Sequence, residues 1–154
     1  MKKMLIAVDE SKGSVKAVEN LLETFPPPYP EETVLVYVEK IEGKSLIDEM
    51  LGDAEMSTLK ESIQGTEYQE MLDKKAVTVL DYFEKMMKEK GVTNIKRVTR
   101  EGHPADEILA VAKEENVGMI VMGSRGNRLS KLLLMGSVSR EVANRAEMPV
   151  LIQK

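Results

Sequence analysis

The chain has 154 residues, a formal net charge of −4 at pH 7 and no cysteine. That length suits a single domain with room for a three-layer core. The acidic balance argues against nonspecific nucleic-acid binding, and the missing cysteines exclude disulfides, thiolate metal sites and cysteine nucleophiles.

A short apolar run, residues 4–8, lies close to the N-terminus and ends at Asp9. A continuous run of this length predicts a strand buried on both faces of a parallel sheet. It is too short for the apolar region of a signal peptide, and no run in the sequence reaches the roughly 18 residues that a membrane span needs. We therefore expect a cytoplasmic protein that does not interact with membranes.

The following elements alternate between helix and strand. Apolar residues at helical spacing predict a first helix: Val15, Val18, Leu21, Leu22 and Phe25. Ser11 and Ser14 are alternative N-caps for this helix, and the prolines at 26–28 end it. The β-branched run at residues 33–38 predicts a second strand. Residues 40–66 are mixed and polar, and we interpret them as an excursion with short helical pieces.

A long apolar stripe predicts a second helix, which is closed by Gly91. The stripe consists of Tyr68, Met71, Leu72, Val79, Leu80, Phe83, Met86 and Met87. A weaker strand is predicted at residues 94–99. Pro104, followed by Asp106 and Glu107, then favours the first turn of a third helix. The buried face of that helix is predicted to contain Ile108, Leu109 and Ala112.

The last third of the chain continues the alternation. Residues 119–122 predict a fourth strand, residues 137–145 a last helix and residues 150–152 a final strand. Five strands separated by helices indicate an α/β domain with a parallel sheet and right-handed crossovers. Because no linker or internal repeat occurs, we expect one domain over residues 1–154.

Two strand ends carry residues that favour ligand binding. The first strand ends at Asp9 and the fourth at Gly123, and open parallel sheets bind ligands beyond the strand ends where the strand order reverses. Gly123 and Gly126 are expected to allow positive φ and to remove Cβ atoms from the path of a ligand. Gly136 would let the chain turn tightly into the last helix. Asp9 either contacts the ligand or caps the turn into the first helix.

The start of the last helix is suited to an anion. Its first amides, near Ser137, Val138 and Ser139, have no partner within the helix, and the positive end of the helix dipole lies behind them. The hydroxyls of Ser137 and Ser139 could donate to phosphate oxygens. The preceding loop is cationic through Arg125, Arg128 and Lys131. Alternatively, Ser137 is a simple N-cap and the cations form a solvated face.

Other nucleotide and metal motifs are absent from the sequence. No G-x-x-x-x-G-K-[ST] pattern occurs, which excludes a P-loop, and no G-x-G-x-x-G follows the first strand, which argues against a dinucleotide fold. His103 is the only histidine, and it precedes Pro104. We interpret it as a residue at the start of a helix rather than a catalyst, and no zinc-binding pattern accompanies it.

Gly123, Gly126, Gly136 and Ser137 follow the pattern G-2x-G-9x-G-[ST]. This pattern resembles the signature of the universal stress protein family. The opening strand through Asp9, the Gly-His-Pro run at 102–104 and the closing residues 148–152 also resemble that family. The resemblance covers nearly the whole chain except residues 40–66, which vary in the family.

The resemblance implies a three-layer open sandwich of the adenine nucleotide alpha hydrolase-like type, with a Rossmann-like parallel sheet in the order 3-2-1-4-5. The intact signature implies the ATP-binding subgroup. By resemblance, the adenosine end is lined by Val8, Asp9, Glu10 and Val38. The residues around the ribose and phosphates are Met122, Gly123, Arg125 and Gly126, and the phosphate-binding turn contains Gly136, Ser137, Val138 and Ser139. The family also implies a homodimer through the last strand, here Val150, Leu151 and Ile152.

Three functions fit these observations. The first is a stress-response regulator or sensor that holds ATP or AMP, with Mg²⁺ or Mn²⁺ bound through the phosphates. The second is a slow ATPase, although we find no convincing catalytic base in the sequence. The third is a dimeric interaction protein with no functional nucleotide site.

Overall fold

The computed structural model describes residues 1–39, 67–124 and 136–154. The predicted excursion at residues 40–66 lies outside the described residues. So does the segment 125–135, which includes Arg125 and Gly126.

A five-stranded sheet forms the centre of the fold. Its strands are β1 (Lys3–Val8), β2 (Glu32–Glu39), β3 (Ile95–Glu101), β4 (Met119–Gly123) and β5 (Val150–Gln153). All neighbouring strands pair in parallel, in the order β3-β2-β1-β4-β5. The predicted α/β class and strand order are confirmed.

Four described helices cover the two faces of the sheet: α1 (Lys12–Thr24), α2 (Glu67–Glu89), α3 (Pro104–Glu114) and α4 (Ser137–Arg145). Helices α1 and α2 pack on one face, where Ile6 and Leu35 point, and α3 and α4 pack on the other, with Leu5 and Ile120. Alternate residues of the buried strands therefore serve two separate cores, as continuous apolar runs predict. Within the described ranges, none of the helices combines the length and apolar character that crossing a bilayer requires.

Capping and turn chemistry set the helix ends. Of the two candidate caps for α1, Ser11 is the N-cap, and its hydroxyl oxygen accepts a hydrogen bond from the Ser14 amide at 3.1 Å. The helix ends at Thr24, directly before Phe25 and the prolines. Helix α2 ends at Glu89, and Gly91 then adopts a φ of 96°, a left-handed conformation that favours glycine.

Among the described side chains, the predicted apolar stripe of α2 is wrong at Met71, and the side chain of Tyr68 lies outside those described. Leu72, Leu80, Phe83 and Met87 are buried, but Met71 is 57% exposed. Consecutive helical residues point about 100° apart, so the face that buries Leu72 directs Met71 away from the sheet.

The expectation of a positive φ at Gly123 is also wrong, whereas the expected role of its missing Cβ in clearing the path of a ligand stays a prediction. Among the described glycines, positive φ occurs at Gly91 and Gly102, and Gly123 is not among them. A Cβ atom at Gly123 would lie 3.2 Å from the carbonyl oxygen of Gly13, in the first turn of α1. The contact that requires a small residue here is the packing of the end of β4 against a helix backbone.

Gly123→Ala should therefore destabilise the protein, by about 1–3 kcal/mol, because backbone atoms of α1 must shift to admit the methyl group. The matched control is Gly118→Ala. Its Cβ would approach the side chain of Met1, which is 65% exposed and can move aside. Urea unfolding of both variants tests this expectation, and equal losses of stability would contradict it.

Candidate functional site

The pairing of β1 with β4 brings the two predicted strand ends together. Met4 lies opposite Met119 and Ile6 opposite Val121, so the residues that follow each strand emerge side by side at the carboxyl edge of the sheet. On the other side of β1, Val8 lies opposite Tyr37. This edge is where the strand order reverses, the position at which open α/β sheets bind ligands.

The structure thus places six of the predicted site residues along one edge: Val8, Asp9, Glu10, Val38, Met122 and Gly123. Val8 and Met122 are buried, in the α1–α2 core and the α3–α4 core respectively. Their side chains therefore point to opposite faces of the sheet. The N-terminus of α1 lies against the same edge through the close approach of Gly13 to Gly123.

The first turn of α4 is tied to the end of β4 by one carbonyl group. The Ser124 carbonyl oxygen accepts a hydrogen bond from the Gly136 amide at 2.6 Å and another from the Ser139 hydroxyl at 3.0 Å. The Ser139 hydroxyl also lies 3.0 Å from the Gly136 carbonyl oxygen, and the residue is only 2% exposed. In the structure, this hydroxyl proton is directed at backbone oxygens, and its predicted bond to phosphate stays a prediction.

The N-terminus of α4 is not capped by its N-cap side chain. Gly136 occupies the N-cap position with φ −67° and ψ 161°, and glycine has no side chain that could accept a bond from the first amides. By contrast, α1 is capped by Ser11. Ser137 is exposed and Val138 half-buried at the start of α4. An uncapped helix N-terminus beside a strand end can accommodate an anion.

Asp9 shapes the start of α1. Its Oδ1 accepts hydrogen bonds from the Ser11 amide at 2.8 Å and from the Ser11 hydroxyl, and the Asp9 amide donates to the Ser14 hydroxyl at 3.0 Å. These contacts agree with the interpretation of Asp9 as a capping residue. A contact between Asp9 and a ligand stays a prediction.

Glu10 is held by two residues that sequence reasoning missed. Tyr37 donates from its hydroxyl to Glu10 Oε2 at 3.4 Å, and Lys75 of α2 pairs with Glu10 Oε1 at 3.0 Å. Burial, together with the negative charge of Glu10, raises the pKa of Tyr37. No local signal reveals this contact, because its three members come from a loop, a strand and a helix that are distant in sequence.

The raised pKa of Tyr37 predicts sensitivity to alkali. In the unfolded chain the phenol ionises near its reference pKa of about 10, but in the fold it ionises only at higher pH. This contribution to stability is therefore complete below about pH 10 and is lost as the pH rises above that value.

The native protein has four tyrosines. In a spectrophotometric titration, part of their phenolate signal should appear only at a pH above the ordinary pKa of tyrosine, and we call this part the late fraction. Tyr37→Phe should remove that late fraction and flatten the loss of stability in alkali. Tyr82→Phe, at a position 53% exposed on α2, is the matched control and should retain the late fraction. Survival of the late fraction in Tyr37→Phe would mean that another group causes it.

Comparison with known proteins identifies the family. The model of the universal stress protein family matches residues 1–154, and the chain belongs to this family. The universal stress protein YxiE of Bacillus subtilis is 31% identical over 157 residues, covering 97% of each chain. The universal stress protein MJ0577 of Methanocaldococcus jannaschii is 28% identical over 156 residues, covering 99% of this chain and 94% of the relative.

Solved structures share the fold. The structure of MJ0577 has a TM-score of 0.78 at 26% identity and covers 99% of this chain and 96% of its own. A universal stress protein in complex with cAMP has a TM-score of 0.66 at 18% identity, covering 99% and 96%. The universal stress protein from Archaeoglobus fulgidus in complex with dAMP has a TM-score of 0.54 at 18% identity, covering 100% and 98%.

Proposed function

We propose that this protein binds an adenine nucleotide, ATP or AMP, at the carboxyl edge of β1 and β4 and acts as a stress-response regulator or sensor. The observation that carries the proposal is the N-terminus of α4, whose N-cap residue Gly136 has no side chain to cap it and which is tied to the end of β4 through the Ser124 carbonyl. The complexes of two structural neighbours with cAMP and dAMP support the choice of an adenine nucleotide.

In the proposed complex, the adenosine lies over the ends of β1 and β2 and the phosphates lie at the first turn of α4. The adenosine end would be formed by Val8, Asp9, Glu10 and Val38. Met122 and Gly123 would border the ribose, together with Arg125 and Gly126 from outside the described residues. The phosphates would face Gly136, Ser137, Val138 and Ser139.

The chain's own groups would stabilise the phosphates by geometry and charge. The amides of Ser137 to Ser139 would donate to phosphate oxygens, with the positive end of the α4 dipole behind them. Ser139 would contribute by fastening this turn to β4, because its hydroxyl donates to the Ser124 carbonyl. Mg²⁺ or Mn²⁺ would be carried by the phosphates of ATP, since these ions prefer phosphate oxygens and water as ligands.

The variant Gly136→Asp tests the anion site without weakening helix α4. The backbone of Gly136 is extended, as an N-cap requires, so aspartate can cap α4 and leave stability unchanged within a few tenths of a kcal/mol. The added carboxylate would occupy the first amides and repel phosphate. Since opposed like charges cost several kcal/mol, ATP and AMP affinity should fall by at least about tenfold.

Gly136→Asn is the matched control, because it offers the same cap without the charge and should weaken binding less than Gly136→Asp. Calorimetry with ATP, AMP and GTP measures the affinities, circular dichroism checks the fold, and phosphate release tests for ATP hydrolysis. Unchanged ATP affinity in Gly136→Asp would mean that the N-terminus of α4 does not contact the phosphates. Absence of adenine-nucleotide binding by the parent protein at millimolar concentration would overturn the proposed function.

We also propose that the protein forms a homodimer through β5. This strand lies at an edge of the sheet, and all four of its residues are half-buried: Val150, Leu151, Ile152 and Gln153. The opposite edge strand, β3, is instead charged. Arg97 pairs with Asp81 of α2, and Arg100 pairs with Glu114 of α3. Charged edge strands resist association, so the apolar edge at β5 is the better surface for a second copy.

Ile152→Pro should convert such a dimer into a monomer. The carbonyls of Pro149 and Gln153 bond to β4, and by strand alternation Ile152 directs its backbone amide outward. Proline removes that donor while sparing the β4 pairing. Sedimentation of the parent and the variant gives the oligomeric state, and a parent that is monomeric at high concentration would refute the homodimer.

A further inference from the structure

A cluster of polar side chains joins α3 to α4 on the surface of the molecule. His103 is the N-cap residue of α3, Asp106 lies in the first turn of α3, and Glu141 and Arg145 lie on α4. His103 Nε2 is 2.9 Å from Glu141 Oε2. Arg145 Nη1 donates to Asp106 Oδ1 at 2.6 Å and to Glu141 Oε1 at 2.8 Å. The four residues form one chain of hydrogen bonds between the two helices.

The donors of this cluster are of the kind that transition metals bind. One ligand atom each from His103, Asp106 and Glu141 lies within 4.8 Å of the other two. Zn²⁺ binds imidazole nitrogen and carboxylate oxygen at about 2.0–2.2 Å, which places two ligands of a tetrahedral ion about 3.3 Å apart. The distance of 2.9 Å between the His103 and Glu141 atoms is close to that separation.

The orientation of the imidazole adds to this argument. Although His103 occupies the N-cap position, its side chain makes no capping hydrogen bond to α3. The ring instead faces Glu141 on the neighbouring helix. Ligands from both helices can therefore meet at one ion without a change in the helix ends.

We propose that His103, Asp106 and Glu141 form a binding site for a divalent transition-metal ion of the Zn²⁺ type, which clamps α3 to α4. Water completes the coordination, because His103 and Asp106 are exposed. The imidazole ligand selects Zn²⁺, Co²⁺ or Ni²⁺ over Mg²⁺ and Ca²⁺, which prefer sites made of oxygen alone. This ion is separate from any metal that the phosphates of ATP would carry.

Arg145 competes with the ion in this arrangement. Its guanidinium group neutralises the same two carboxylates that the metal needs, so an incoming ion must displace or share these contacts. The metal site therefore becomes stronger when the arginine charge is removed. A purely structural role for the cluster predicts no such gain.

The chain contains a matched cluster without an imidazole. Arg97 Nη1 lies 2.6 Å from Asp81 Oδ1 and 3.1 Å from Glu84 Oε2, which repeats the pairing of one arginine with two carboxylates. If acidic groups beside an arginine were sufficient for metal binding, this second cluster would bind equally well. It serves as the internal control.

The test uses the full chain without an affinity tag and without added nucleotide, titrated with ZnCl₂. Because the chain has one histidine and no cysteine, the imidazole signals in the NMR spectrum belong to His103 alone. We expect one equivalent of Zn²⁺ to shift these signals, and calorimetry to give a stoichiometry of one. MgCl₂ at the same concentration should leave them unchanged.

Four variants locate the ion. His103→Gln and Asp106→Asn should each weaken Zn²⁺ binding by at least about tenfold, since even the loss of an outer partner costs about 10- to 100-fold. Asp81→Asn, in the matched cluster, should bind as the parent does, and Arg145→Gln should bind more tightly. Circular dichroism without metal confirms that each variant is folded.

Each opposite result overturns the proposal. Zn²⁺ binding that leaves the His103 signals unmoved, or that persists at full affinity in His103→Gln, places the ion elsewhere. If Asp81→Asn weakens Zn²⁺ binding as much as Asp106→Asn does, the binding depends on general surface charge and not on this cluster. Unchanged or weaker binding in Arg145→Gln means that the ion does not share the carboxylates of this cluster. None of these outcomes depends on whether the protein binds a nucleotide.

Discussion

The parallel pairing of β1 with β4 is the constraint on which the rest of the structure depends. It reverses the strand order at the centre of the sheet, so helices α1 and α2 lie on one face and α3 and α4 on the other. Because parallel strands all end at the same edge, the starts of α1 and α4 are brought to the gap beyond β1 and β4. Both apolar cores depend on this pairing, since the residues of β1 alternate between them.

A single backbone carbonyl then determines how α4 begins. The carbonyl of Ser124 accepts bonds from the Gly136 amide and the Ser139 hydroxyl, and these bonds hold the first turn of α4 against the end of β4. Gly136 has no side chain that could cap α4, so within the described residues no N-cap side chain bonds to the remaining first-turn amides. A rigid backbone turn of this kind can favour an anion without any charged side chain, because its dipoles are already oriented before a ligand arrives.

The elements of the fold could be predicted because their signals are local. Buried strands appear as apolar runs, and Gly91 and Pro104 mark helix boundaries through their own backbone preferences. Predictions failed where a partner from elsewhere in the chain decides the outcome. The need for a small residue at position 123 is set by the backbone of Gly13 in α1, which no pattern near Gly123 reveals. The positions of the strand-end residues followed from topology, but their hydrogen-bond partners did not.

The sequence by itself determined the α/β class, the order of the elements and the family signature at Gly123, Gly126 and Gly136. Only the tertiary structure showed that Ser139 fastens a turn, that Tyr37 and Lys75 hold Glu10, and that His103 meets Glu141 across two helices. The reason is the range of each interaction. Secondary structure and turns are set by neighbours along the chain, whereas these contacts join elements that become neighbours only when both faces of the sheet are covered.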